Sequence, residues 1–146
     1  MLNKEEKLKG SGGLIKSPSG SLCPYYYMGG ELHPLKYGSY FNNKDKLFAV
    51  IKAEEKYILK SAGKNNRRIW IDLYETTLDR EVVNSLVLHI RNISSKICKL
   101  CFVGCSFMDR YKIKKKMREN KMDIIGKIKF FSDPEKAKQW LIGEER

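Results

Sequence analysis

Leu100-Cys101-Phe102-Val103 carries no polar side chain, and Gly104 follows it. A strand with one wet face alternates polar and apolar residues, so a run apolar at every position belongs to a strand covered on both faces. Such strands are found almost only in parallel sheets with helices packed over them. The flanking sequence is read from that requirement. Ile69-Trp70-Ile71-Asp72-Leu73 is a second strand, with Asp72 near its exit, where it would cap the following loop, ahead of the alternative that it lines a ligand site. A helix is predicted over residues 79–93, with Val82, Leu86, Ile90 and Ile93 as its apolar stripe and Val83 and Val87 alongside. Thr76 with Asp79 three residues later reads as its capping signature. After Gly104 a basic helix is predicted over residues 107–120, with Ile113 and Met117 on its buried side and Ser106 as its cap. Residues 124–131 contain a further strand. Ser132-Asp133-Pro134-Glu135 starts a last helix, with Ser132 as cap and Pro134 early, and Ala137, Trp140 and Leu141 face the core.

Upstream, residues 37–41 and 47–51 read as short β-prone runs joined by the five-residue loop Asn42-Asn43-Lys44-Asp45-Lys46, hence as a hairpin. A helix over residues 53–62 follows, stopped by Gly63. The expected fold class is α/β: a mixed, mostly parallel sheet of four or five strands with about four helices and right-handed crossovers. Residues 1–30 differ in composition. A charged stretch, Lys4 to Lys9, precedes a Gly- and Ser-rich one with Pro18, which predicts a flexible leader ahead of a single domain over residues 31–146. Cys23-Pro24-Tyr25-Tyr26-Tyr27 offers aromatic surface that would tie the end of this leader to the domain.

The chain of 146 residues has no apolar run long enough to span a membrane and no apolar signal segment in its first thirty residues, so the expected location is the cytoplasm. Its four cysteines are expected to be reduced thiols, since three of them cluster around one apolar run. The net charge of +12 favours anionic partners: nucleic acid, phosphate groups or an acidic protein surface.

Three segments carry a resemblance to a known family. These are Ile69 to Leu73 before the long helix, Leu100 to Gly104 before the basic helix, and Ile128-Lys129-Phe130-Phe131-Ser132-Asp133-Pro134-Glu135-Lys136-Ala137-Lys138-Gln139-Trp140-Leu141. Together they resemble the STAS domain superfamily, in its SpoIIAA-like branch of bacterial anti-sigma-factor antagonists, over about residues 36–142. The resemblance implies a sheet of four or five strands with helices packed on it, and a regulatory, protein-binding role. In those antagonists an Asp-Ser pair opens the helix after the central strand, and phosphorylation of the Ser switches partner binding. A phosphate there meets free amides and the positive dipole end. The matching positions here are Asp79 and Arg80. The Ser is absent, with Thr76 and Thr77 nearby. Related SEC14-type domains bind lipids, which adds lipid to the possible ligands by analogy.

Other constellations are weighed on their spacing. Cys98, Cys101 and Cys105 supply no fourth ligand for a structural metal, and an extended chain puts Cys101 and Cys105 on one face with Cys98 on the other. No metal or other cofactor is implied. Cys105 and Arg110 are five positions apart, one short of the cysteine-phosphatase spacing. A helix N-terminus can acidify such a thiol. Gly104, Cys105, Ser106 and Arg110 form a candidate anion site at a helix start. Residues 96–121 hold nine Lys or Arg against Asp109 and Glu119. Of these, Lys112, Lys114, Lys115, Lys116 and Arg118 form a basic patch on the helix, which would give salt-dependent nucleic-acid affinity if it met a phosphate backbone. His33 and His89 read as structural. No catalytic constellation is found. The expected function is a non-catalytic interaction or regulatory module that contacts another protein through residues 76–80 and the helix start at Ser106. A small anion, nucleotide or lipid binder, or a nucleic-acid binder through residues 107–120, are the alternatives.

Overall fold

The computed structural model describes residues 15–61, 63–64 and 66–143. The chain is α/β, with four α-helices among the described residues and a mixed, mostly parallel five-stranded sheet. The strands of this sheet are β3 (Tyr25–Tyr27), β4 (Gly30–Lys36), β5 (Arg67–Asp72), β6 (Ile97–Val103) and β7 (Ile128–Phe131), hydrogen-bonded in that order. β3 pairs with β4 antiparallel, and every later neighbour is parallel. β1 (Ile15–Lys16) and β2 (Leu22–Cys23) form a separate two-stranded antiparallel sheet. The helices are α1 (Lys44–Leu59), α2 (Arg80–Ile93), α3 (Phe107–Glu119) and α4 (Pro134–Ile142).

Because β4 to β7 lie side by side in chain order, right-handed crossovers place α1, α2 and α3 on one face. Leu35, Ile69, Ile71, Leu100 and Phe102 meet Leu47, Ile58, Leu86, Ile90, Ile113 and Met117 there. Cys101, Val103 and Leu32 point to the other face, against Ala137 and Leu141 of α4. The all-apolar run of β6 is thus covered on both faces. Unbroken strand order also means that there is no topological switch point, the usual ligand crevice of open α/β sheets.

The hairpin predicted over residues 37–51 does not form. Residues 44–59 are one helix, capped by Asn43, whose side chain accepts from the Lys46 amide. Leu47, Ile51, Glu54 and Ile58 fall on its buried side at helical spacing, and no breaker interrupts the strong helix formers between them. Residues 37–43 form a connecting loop and an approach to the helix. The hairpin lies earlier, where Tyr27 pairs with Gly30 across Met28 and Gly29. Both turn residues have positive φ (47° and 85°), the conformation of a type I′ turn. Residues 15–30, read as part of a flexible leader, therefore carry three strands, while residues 1–14 lie outside the described residues.

Two caps also differ from expectation. Asp79 caps α2 directly, accepting from the Val82 amide at 3.0 Å. The α4 cap is Asp133, accepting from the Glu135 amide at 2.9 Å, and not Ser132. Ser106 caps α3, accepting from the Asp109 amide at 3.1 Å.

Two buried polar networks tie elements together. In the first, Glu54 of α1 is fully buried. It accepts from Ser17 Oγ (2.8 Å) and from the Ser19 amide (3.0 Å) and hydroxyl, and it lies 3.3 Å from His33 Nε2. In the second, His89 of α2 has Glu55 Oε1 at 3.0 Å from Nδ1 and Tyr37 Oη at 2.8 Å from Nε2. A carboxylate only accepts, so Nδ1 carries the proton and a neutral Nε2 accepts from the tyrosine. Burial pulls the His89 pKa below its ordinary 6.5, against the upward pull of Glu55 and Glu54. The unfolded chain therefore binds the extra proton first as the pH drops, and folding stability declines as the pH falls below 6.5. Urea melts at pH 7.5 and 5.5 will show this loss, and His89→Gln will reduce the difference. An equal or larger difference in the variant would rule out His89 as its source.

Candidate functional site

The loops that leave the carboxyl ends of β4, β5 and β6 carry the candidate residues at 76–80 and 104–110. The loops after β4 and β5 are zipped together. The Ser39 amide donates to Tyr74 O (2.6 Å), the Phe41 amide to Glu75 O (2.8 Å) and the Thr77 amide to Phe41 O (2.9 Å). Ser39, Phe41 and Glu75 have φ of 64°, 50° and 59°, a costly region for residues with side chains. Thr76 is buried beneath them. Its hydroxyl donates to Tyr37 O at 2.6 Å and accepts from the Tyr40 amide at 3.2 Å. Thr76 is therefore a loop rivet, whereas Thr77 is exposed. Asp79 is held by Lys44 of α1, which together with the Val82 amide keeps its carboxyl below the usual range. Arg80, the next residue, is exposed.

Gly104, Cys105, Ser106 and Arg110 lie together at the start of α3, where Ser106 Oγ accepts from the Asp109 amide. Gly104 has φ +84°, and a Cβ on it would stand 2.6 Å from the Tyr74 amide nitrogen. The open cradle that a phosphate would need is thus filled by Tyr74. Asp109 places a carboxylate in the first turn of α3, where an anion would otherwise sit. Arg110 turns to Ser132, donating to Oγ at 3.0 Å, and lies over the Phe130 ring at 6.0 Å. The Cys105 thiol is pushed up to about 12 by burial, with Asp109 adding to the rise and Arg110 opposing it. An acidified nucleophile is not what this position holds. Cys101 and Cys105 also part company: Cys101 joins the α4 side, while Cys105 packs against the α1–α3 side, because β6 ends at Val103 and the alternation stops. All four cysteines are free, and among the described residues no three His, Cys, Asp or Glu groups converge as a metal site. Asp72 caps the loop after β5, accepting from the Tyr74 amide at 2.9 Å.

The basic patch divides in two. Lys114 lies over Phe130 at 5.2 Å, beside Arg110 on the β7 side of α3. Lys112, Lys115 and Lys116 face α2 instead. With Arg80, Asn84 and Tyr111 they line a groove of about 480 Å³ between α2 and α3. Lys112 donates to Leu78 O at 3.4 Å and so holds the groove to the loop before α2. Glu119 is the one carboxylate in its lining and lies 3.8 Å from Lys116. Arg80 and the α3 lysines, about thirty residues apart in the chain, thus form one cationic surface. Arg118 is exposed.

Exposed apolar side chains accompany this surface. Phe107 is 85% exposed, Met108 61% and Tyr111 52%, and Phe41 and Tyr74 are also exposed on the loops at the carboxyl end of the sheet. The sequence reading does not pick these residues out. A signal exists, since Ile113 and Met117 define the buried stripe and Tyr111 lies about 160° from Ile113 at 3.6 residues per turn.

No helix among the described residues is long and apolar enough to cross a membrane. Compared with protein-family models, with curated proteins and with solved structures, the chain matches none.

Proposed function

We propose that this chain is a non-catalytic interaction module of the cytoplasm, and that it docks a partner protein on the α2–α3 groove and the first turn of α3. One observation carries the reading: three large apolar side chains, Phe107, Met108 and Tyr111, stand exposed on the helix that also lines a groove with Arg80, Lys112 and Lys115. Exposed apolar clusters rimmed by charge mark interaction surfaces. Aromatic residues and Arg supply much of the binding energy at such surfaces. The resemblance to STAS domains agrees with this reading, since it implies protein partners and places the contact near residues 79 and 80. A mixed five-stranded sheet with four helices among the described residues supports that likeness.

The test uses the full chain as bait in nuclease-treated lysate of the source organism, followed by titration of the captured protein. Arg80→Glu and Phe107→Asp each weaken that titration by about tenfold or more, the loss of one good interface contact. Both side chains are exposed, so the melting temperature stays unchanged. Undiminished affinity in both variants overturns the reading. Capture that disappears with nuclease moves the interaction to nucleic acid.

A further inference from the structure

We propose a second site, on the opposite face of the sheet, that binds a planar aromatic ring carrying a phosphate: a nucleoside monophosphate. The buried Glu54 anchors one wall of this site. β3 pairs with Gly30 to Leu32, so among the described residues the outer edge of β4 from His33 to Lys36 has no strand beside it. The turn between β1 and β2 covers that edge instead. Ser21 Oγ donates to Pro34 O at 2.8 Å, and the Lys36 amide donates to Ser19 Oγ at 3.1 Å. Pro34 fits there because its carbonyl faces the turn, so its missing N–H breaks no bond to β5. Glu54 then fastens the turn from below through Ser17 and Ser19. A fully buried carboxylate is an expensive way to hold a surface turn. What it achieves is a fixed wall.

Between that wall and the sheet lies a cavity of about 440 Å³. Pro34 and Trp70, partners in the β4–β5 register, form its floor, and Tyr25 closes one side. The cavity exists because the nine-residue α4 reaches Leu32, Cys101 and Val103 but leaves the far end of β4 uncovered. Three ammonium groups surround it, from Lys16, Lys36 and Lys138, and among the described residues no carboxylate lines it. Lys138 is held over the rings of Trp70 (5.1 Å), Tyr27 (5.5 Å) and Tyr25 (5.8 Å). Lys36 Nζ donates to Gly20 O at 3.4 Å, and its charge also acts on Asp72, its partner in the β4–β5 register. Lysines around a cavity with no acid call for an anion. Tyr25 and Trp70 in the same lining supply aromatic surface for a ligand ring, beside the Lys138 ammonium that lies over both. Both features in one small enclosure select a ligand that has both.

The experiment is calorimetric titration of the full chain at low salt with adenosine, guanosine, cytidine and uridine monophosphates. Inorganic phosphate alone and adenosine alone are parallel arms. Saturable binding of at least one monophosphate, tighter than either part, is expected. Lys16→Glu and Lys36→Glu, both at exposed positions, each weaken it about tenfold by removing a charged contact. Arg80→Glu, in the α2–α3 groove, leaves it unchanged. The proposal is overturned by no saturable binding of any of the four at millimolar concentration. Inorganic phosphate binding as tightly as the nucleotides also overturns it, as does loss of binding in Arg80→Glu with retention in the two lysine variants.

Discussion

Glu54→Ala will lower the unfolding free energy by about 3–5 kcal/mol, the usual cost of breaking a buried charged network from one side. Four groups lose their acceptor or partner at once: the Ser17 hydroxyl, the Ser19 amide, the Ser19 hydroxyl and His33 Nε2. The Ser17 hydroxyl and His33 Nε2 cannot turn to bulk water without moving the β1–β2 turn, since Ser17 and His33 are themselves buried. Burial pushes the Glu54 carboxyl up, but His33, Ser19 and Ser17 together outweigh it and hold the group below the usual carboxylate range. Its stabilising contribution is therefore complete above the ordinary value of 4.5 and is lost as the pH falls further, through the lowered value. Urea melts at neutral pH measure the effect, which corresponds to a fall of roughly 10 °C or more in Tm. Glu54→Gln keeps the shape and one acceptor and will lose about 2 kcal/mol. If Glu54→Ala melts within a degree or two of the parent, the turn is not held in this way. The fixed cavity wall then loses its support.

Gly104→Ala is the second large effect, about 2–6 kcal/mol. Two separate costs combine. At φ +84° a side chain costs about 1–3 kcal/mol, and the new Cβ would stand 2.6 Å from the backbone nitrogen of Tyr74. Backbone cannot swing aside as a flexible side chain does, so overpacking adds about 1–3 kcal/mol. Gly29→Ala separates the two: its φ is +85°, and a methyl group added there would meet nothing within 4 Å. That variant will lose only about 1 kcal/mol. Equal losses in the two variants would mean that the approach of Tyr74 to Gly104 is not tight. Gly104→Ala will also disturb the loop that carries Tyr74, and with it the exposed end of the sheet beside Phe107.

Much of the architecture is legible in the chain. Patterns repeated over several turns or several strand residues read well: the stripe Val82, Leu86, Ile90 and Ile93, the run Leu100 to Val103, and the buried pair Ile113 and Met117. Each depends only on a local period meeting one large core. The segment 37–51 misleads because a short apolar run such as Leu47 to Ile51 suits a strand and a buried helix equally. The choice is made by its continuation through Glu54 and Ile58 onto the core. The true hairpin is obscured because its first strand is three residues long and its turn, Met28-Gly29, is not one of the usual dipeptides.

The candidate site is legible in parts and not as a whole. Arg80 and the α3 lysines each stand out in the chain, but only the packing of α2 beside α3 places them on one groove. His33 and Glu54 are 21 positions apart, and nothing local signals that they meet in the interior. Sequence by itself determined the number and order of the central elements and which helix faces are buried, because hydrophobic burial needs only the right residues at the right period. Tertiary structure alone decided which polar and charged groups share a space. Those pairings act over a few ångströms, and the sheet order, the cover of a free strand edge and the length of α4 set which groups come within that reach.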